Sequence, residues 1–219
     1  IAWGPAVSGL SYTTDPDYTD SGDGWYYNYI PMDVYMEKWD KNGRIVSANS
    51  TFANGKPVKV YDPYDFFQTG ITYNNNLSLS GGNDNTTYYF SVSNVNAEGV
   101  VPLNTFDKTN FKISADTKLT AKFTTGVSVN YVTSNAYRVQ QGSNISGVML
   151  GLLRTPPTFD NSAGYEFPDG KQRTYRGGGG YDNPYWVSNN IPYEDDLHRM
   201  IGDVHFNWYA TPWLSFTYR

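Results

Sequence analysis

Four carboxylates crowd the start of the chain, at Asp15, Asp17, Asp20 and Asp23. Closely spaced oxygen ligands of that kind can hold a calcium ion. The EF-hand pattern needs acidic and glycine residues at fixed places, and Asp20 and Gly22 miss them. The spacing fits a solvated acidic loop better than a cation cage. A second acidic group, Glu194-Asp195-Asp196, has the residue types for acid and base catalysis. Adjacent carboxylates just ahead of an alternating run read instead as surface charge. His198 and His205 are the only histidines. Their odd separation puts them on opposite faces of an extended strand, which excludes a shared metal site. His205 is assigned to the polar face, with ordinary hydrogen bonds. No Gly-x-Ser-x-Gly elbow occurs. The Gly177-Gly178-Gly179-Gly180 run lacks the Lys and Ser/Thr of a phosphate loop and is expected to be a pliable segment. The chain is therefore read as a non-enzyme, with no catalytic residue, metal or cofactor.

Aromatic residues offer a different chemistry. Trp25, Tyr26, Tyr27 and Tyr29 cluster in one loop region, and Tyr181, Tyr185 and Trp186 in another, beside Asn183, Asn189 and Asn190. Rings flanked by amides and carboxylates suit stacking on sugar faces and bonding to hydroxyls. Trp25, Tyr26, Tyr27, Tyr181, Asn183, Tyr185 and Trp186 are thus the candidate ligand-binding residues. Packing within the loops, or contact with a partner protein, would use the same side chains.

These residues hang on elements that alternate. Residues 72–80, 87–95, 110–119 and 123–133 switch between apolar and polar at the period of a pleated strand. A later pair spans 203–209 and 214–219. The links are alternately short and long: 81–86, 119–122 and 210–213 are short, 4–70 and 134–202 are very long, and 96–109 is intermediate. Soluble domains rarely carry such long structureless loops. Outer-membrane barrels do, with tight periplasmic turns and extended outer loops. Within the long links, residues 31–41 and 148–153 have the pattern of short helices. The sequence has no apolar run near the roughly 20 residues of a membrane-spanning helix. Net charge is −5 with no basic stripe, which disfavours nucleic acid as a partner. Cysteine is absent, so disulfides and thiolate metal sites are excluded.

Several motifs fall in a recognisable order. Asp65-Phe66-Phe67-Gln68-Thr69-Gly70 leads into Asn75-Asn76-Leu77-Ser78-Leu79-Ser80-Gly81-Gly82, followed by Thr86-Thr87-Tyr88-Tyr89-Phe90-Ser91. Asn96-Ala97-Glu98-Gly99-Val100-Val101-Pro102, Thr155-Pro156-Pro157, Asn183-Pro184-Tyr185-Trp186, Arg199-Met200-Ile201-Gly202-Asp203 and Thr211-Pro212-Trp213-Leu214-Ser215 follow. Over residues 65–219 this order resembles the SusC/RagA family of TonB-dependent outer-membrane transporters. The resemblance implies a 22-stranded barrel around an N-terminal plug. It also implies uptake of oligosaccharides, or peptides in some members, and a SusD-like lipoprotein over the outer mouth. Energy would come from TonB acting through the plug.

The expected fold is accordingly all-β: one antiparallel segment of a transmembrane barrel in the cell outer membrane, read as an internal portion of a longer polypeptide without plug or closing strand. Residues 1–70 are expected to be an extracellular loop region, 71–133 four strands, 134–202 a second extracellular loop, and 203–219 two more strands. Apolar strand faces would meet lipid. Asn74, Asn76, Lys112, Asp116, Asn130, His205 and Asn207 would face the lumen. The rival expectation is a secreted β-sandwich that binds carbohydrate and buries the same apolar residues in a core.

Overall fold

The alternating stretches form strands longer than their clean periodicity suggests. In the computed structural model, which describes residues 6–15, 44–142, 147–174 and 181–219, the chain divides into two units. One unit is a six-stranded antiparallel sheet whose strands follow sequence order. These are β3 (Ile71–Gly82), β4 (Thr86–Glu98), β5 (Thr105–Thr120), β6 (Phe123–Arg138), β7 (Tyr193–Thr211) and β8 (Leu214–Tyr218).

The added length comes at the strand ends, where polar residues continue the ladder after apolar alternation stops. Residues 134–138 and 193–202, expected in a loop, are paired strand, with Arg138 opposite Tyr193. Glu194, Asp195 and Asp196 accordingly lie inside β7 rather than before a strand. The short links tighten. At the β3–β4 turn, Asn83 Oδ1 accepts from the backbone N–H of Asn85 and Thr86, both at 2.9 Å. An Asn side chain replacing backbone acceptors in this way is a common route to a tight turn. The β5–β6 and β7–β8 turns each carry a register shift, next to Thr120 and Thr211.

Cross-strand register sorts the side chains. Leu77, Val92, Phe111, Tyr131 and Met200 form one row across β3 to β7. The next row toward the short turns is Leu79, Phe90, Ile113, Val129 and Gly202. Toward the long links the same face turns polar: Asn75, Asn94, Thr109, Thr133 and His198, then Tyr73, Asn96, Asp107, Asn135 and Asp196. The opposite face is polar over most of its length.

Among the described residues the apolar face has no second layer. Leu77 is 68% exposed, Phe111 44%, Val127 44% and Phe206 38%. A β-sandwich buries such residues against a second sheet about 10 Å away; here they do not converge on a core.

The other unit holds a two-stranded sheet and a helical lobe. Strands β1 (Leu10–Thr13) and β2 (Arg44–Ser47) pair antiparallel. Leu10, Tyr12 and Val58 form a small core there, and the Tyr12 hydroxyl accepts from the Lys59 backbone N–H at 2.9 Å. The expected loop region 1–70 thus contains ordered sheet. In the lobe, α1 (Val148–Arg154) and α2 (Pro184–Asn190) close with Phe66 and Val139 over a core of Val148, Leu152 and Val187. Helix α1 matches the pattern read at 148–153; the helix expected at 31–41 lies outside the described residues.

Candidate functional site

Alternation brings Asn74, Asn76, Lys112, Asp116, Asn130, His205 and Asn207 to one face of the sheet. Near the short turns that face carries a chain of charges. His205 Nε2 lies 3.1 Å from Asp116 Oδ1, although β5 and β7 are separated by β6. The residue between them in the row is Gly126. It is buried, and an added Cβ would collide with the Asp116 carboxylate and the His205 ring. A missing side chain thus lets groups two strands apart meet. Beyond His205, Nδ1 is 3.8 Å from Asp203 Oδ1, and Asp203 accepts a hydrogen bond from Arg219 Nε. Asn207 takes part in a parallel set: its Oδ1 accepts from the Thr217 hydroxyl at 2.8 Å, and its Nδ2 donates to Thr124 Oγ1 at 3.3 Å. The arrangement lines a surface with alternating donors and acceptors, and nothing in it resembles a nucleophile with its base.

Glu194 and Asp196 share the face of the apolar rows, whereas Asp195 points to the other. Asp195 sits 3.6 Å from Arg138, and Asp196 accepts from Asn135 Nδ2 at 2.9 Å. The three carboxylates therefore do not converge. His198 Nδ1 lies 3.1 Å from the Tyr131 hydroxyl, on the face opposite His205. Among the described residues no three His, Cys, Asp or Glu side chains are grouped to hold a metal ion.

The helical lobe gathers the second set of candidates. Asn183 caps α2, its Oδ1 accepting from the Tyr185 N–H at 2.9 Å while Nδ2 donates to Arg173 O at 2.8 Å and Asn161 O at 3.4 Å. It is fully buried, so its amide serves the fold. Trp186 packs against the lobe core, as does Tyr185, whose ring meets Phe66 edge to face at 4.9 Å. Tyr181 carries the Arg154 guanidinium over its ring at 4.7 Å and is hydrogen-bonded to it. Trp25, Tyr26, Tyr27, Tyr29, Asp17, Asp20, Asp23 and Gly177 to Gly180 lie outside the described residues.

One cleft opens in this lobe that sequence reading missed. It encloses about 440 Å³ including its mouth, between the Pro63–Phe66 turn and the segment that runs from Thr155 to Ser162. Asp62, Asp65, Asp160, Phe159 and Tyr185 line it over a floor of Phe66 and Leu152. Burial, then the nearby Asp160 and Asp65 carboxylates, push the Tyr185 phenol above its ordinary value of 10.0. The two halves of the wall are far apart in sequence and share no periodicity. The available signal was two Asp residues of turn-capping type, Asp62 and Asp160, which cap Tyr64 and Ser162 at 2.8 and 2.9 Å.

No family model matches the chain. Over 94 residues it is 32% identical to the TonB-dependent receptor P26 of Formosa agariphila, a stretch covering 42% of this chain and 9% of that protein. The chain thus spans under a tenth of the relative's length in that match. The similarity is distant and partial, and it is to a receptor rather than to an enzyme.

Proposed function

We propose that the six-stranded sheet is part of the barrel wall of a TonB-dependent importer in the outer membrane. The observation that carries this reading is the exposed apolar band that crosses the sheet from strand to strand. Leu77 and Leu79 on β3, Phe90 on β4, Phe111 and Ile113 on β5, Val127 and Tyr131 on β6, and Met200, Val204 and Phe206 on β7 share one face and are exposed. A membrane barrel turns such a band to lipid while the alternate, polar residues line the lumen. The aromatics Phe123, Trp208 and Phe216 mark the band's short-turn border, as interfacial girdles do.

In this reading the short turns face the periplasm, and the Asn-rich and acidic ends of β4 to β7 rise above the outer leaflet. Asn74, Asn76, Lys112, Asp116, Asn130, His205 and Asn207 line the passage. The helical lobe belongs to the extracellular loops, whose Tyr181, Tyr185 and Trp186, with the 25–27 aromatics, help hold a ligand. The subtype is SusC-like, the cargo an oligosaccharide first and a peptide second, the lid a SusD-like lipoprotein. TonB would act through a plug outside this sequence. Among the described residues no helix is long and apolar enough to cross a membrane.

Detergent dependence tests the reading. The chain is expected to keep its β signal and stay dispersed only with detergent, lipid or partner strands. A folded monomer in plain buffer would sink it.

A further inference from the structure

We propose that the cleft beside Tyr185 binds an organic ammonium group. This goes beyond the transport reading, since it concerns the lobe alone and holds whether or not the sheet crosses a membrane. The lining side chains are acidic. Three carboxylates line the cleft, from Asp62, Asp65 and Asp160, with no Lys, Arg or His among the lining residues. Two hydroxyls that could donate are already engaged: Thr155 Oγ1 gives its proton to Gly151 O at 2.7 Å, and Ser162 Oγ to Asp160 Oδ1 at 2.6 Å. In the same wall Asn161 is buried, and its Oδ1 has no hydrogen-bond partner among the described residues. A ligand bringing N–H donors and a positive charge would meet these acceptors.

The shape of the site selects among cations. A bare metal ion needs several carboxylates converging at about 2–2.6 Å, and the described residues offer no such group. The cleft instead spreads its carboxylates around the Phe66 and Tyr185 rings and the Leu152 side chain. Ammonium groups are drawn both to carboxylates and to ring faces, and their carbon skeleton gains from apolar walls. Two rings of the same wall already take a cation from the chain itself: Lys59 lies 4.7 Å from the Tyr61 centroid and Arg173 lies 4.3 Å from that of Phe159. Phe66 and Tyr185 carry none among the described residues. Burial first, and then the Asp160 and Asp65 carboxylates, raise the Tyr185 phenol.

The amine can arrive on an amino sugar or on a peptide, and calorimetry separates the two. The full chain in detergent micelles would be titrated with glucosamine trisaccharide and with trilysine, each beside its fully N-acetylated form, and with calcium chloride alone. At least one free amine series is expected to bind roughly tenfold or more tightly than its acetylated partner, a gap of the size charge-assisted contacts give. Binding should weaken as salt rises toward about 0.5 M, because Asp62 and Asp65 are exposed. Asp65→Asn keeps the side-chain volume and should lower affinity several-fold. Asp160→Asn retains a capping side chain and should act in the same direction, with the thermal transition unchanged in both variants. Equal binding of amine and acetylated forms would overturn the proposal. So would no binding of either amine at millimolar concentration, tighter binding of calcium than of the amines, or full affinity in the Asp65→Asn, Asp160→Asn double variant.

Discussion

At the scale of single residues, Gly126 and Asn183 have the most defined duties. Gly126 leaves the space in which Asp116 reaches His205. Gly126→Val should break that contact and push the strand out of register locally, at a cost of about 1–3 kcal/mol. Urea unfolding in detergent micelles, followed by circular dichroism, measures it. Asn183 caps a helix and satisfies two carbonyls with one amide. Asn183→Ala removes the cap, worth about 1 kcal/mol, and strands buried carbonyls at about 1–3 kcal/mol more. Loss of the tryptophan fluorescence transition of the lobe would report it. Tyr185 gives a pH signature. Its phenol is pushed above 10.0 in the fold, so folding favours the neutral form. That stabilisation is complete below the unfolded value and is lost as pH rises through the folded one. The unfolding midpoint should therefore fall above about pH 10 in the parent chain, and less so in Tyr185→Phe.

At the scale of elements, the sheet was legible from sequence where its apolar residues alternate, and illegible where they stop. Residues such as Thr105 to Thr109 and Tyr193 to Asp196 carry no hydrophobic period, because both of their faces are polar; backbone pairing continues regardless. That Asn74 through Asn207 share one face was readable, because a period of two fixes it once one residue is placed. The cleft was not readable, since its walls are joined by tertiary packing of turns distant in the chain. The two strand faces make opposite predictions. Val127→Arg places a charge within the apolar band and should cost about 2–4 kcal/mol in a bilayer. Ser128→Arg, one residue on, turns to the polar face and should cost little. Unfolding of each variant reconstituted in lipid vesicles compares them, and equal costs would argue against a lipid-facing band.

At the scale of the whole molecule, β3 and β8 are the margins of the sheet, each paired on one side only among the described residues. Open margins beside exposed apolar faces invite self-association. Without detergent the chain should elute as large species in size-exclusion chromatography, and mild detergent should disperse them. The two units differ in what holds them. The helical lobe has a small dry core of its own, whereas the sheet has ladder hydrogen bonds and no interior.

Arg138 and Tyr193 stand opposite each other in the ladder, so residues 139–192 depart from the sheet and rejoin it at a single doorway. An excursion built that way behaves as a cassette. Its contents can be exchanged, shortened or redecorated while the two jambs stay in step. Change within the segment then need not disturb the strands that carry it.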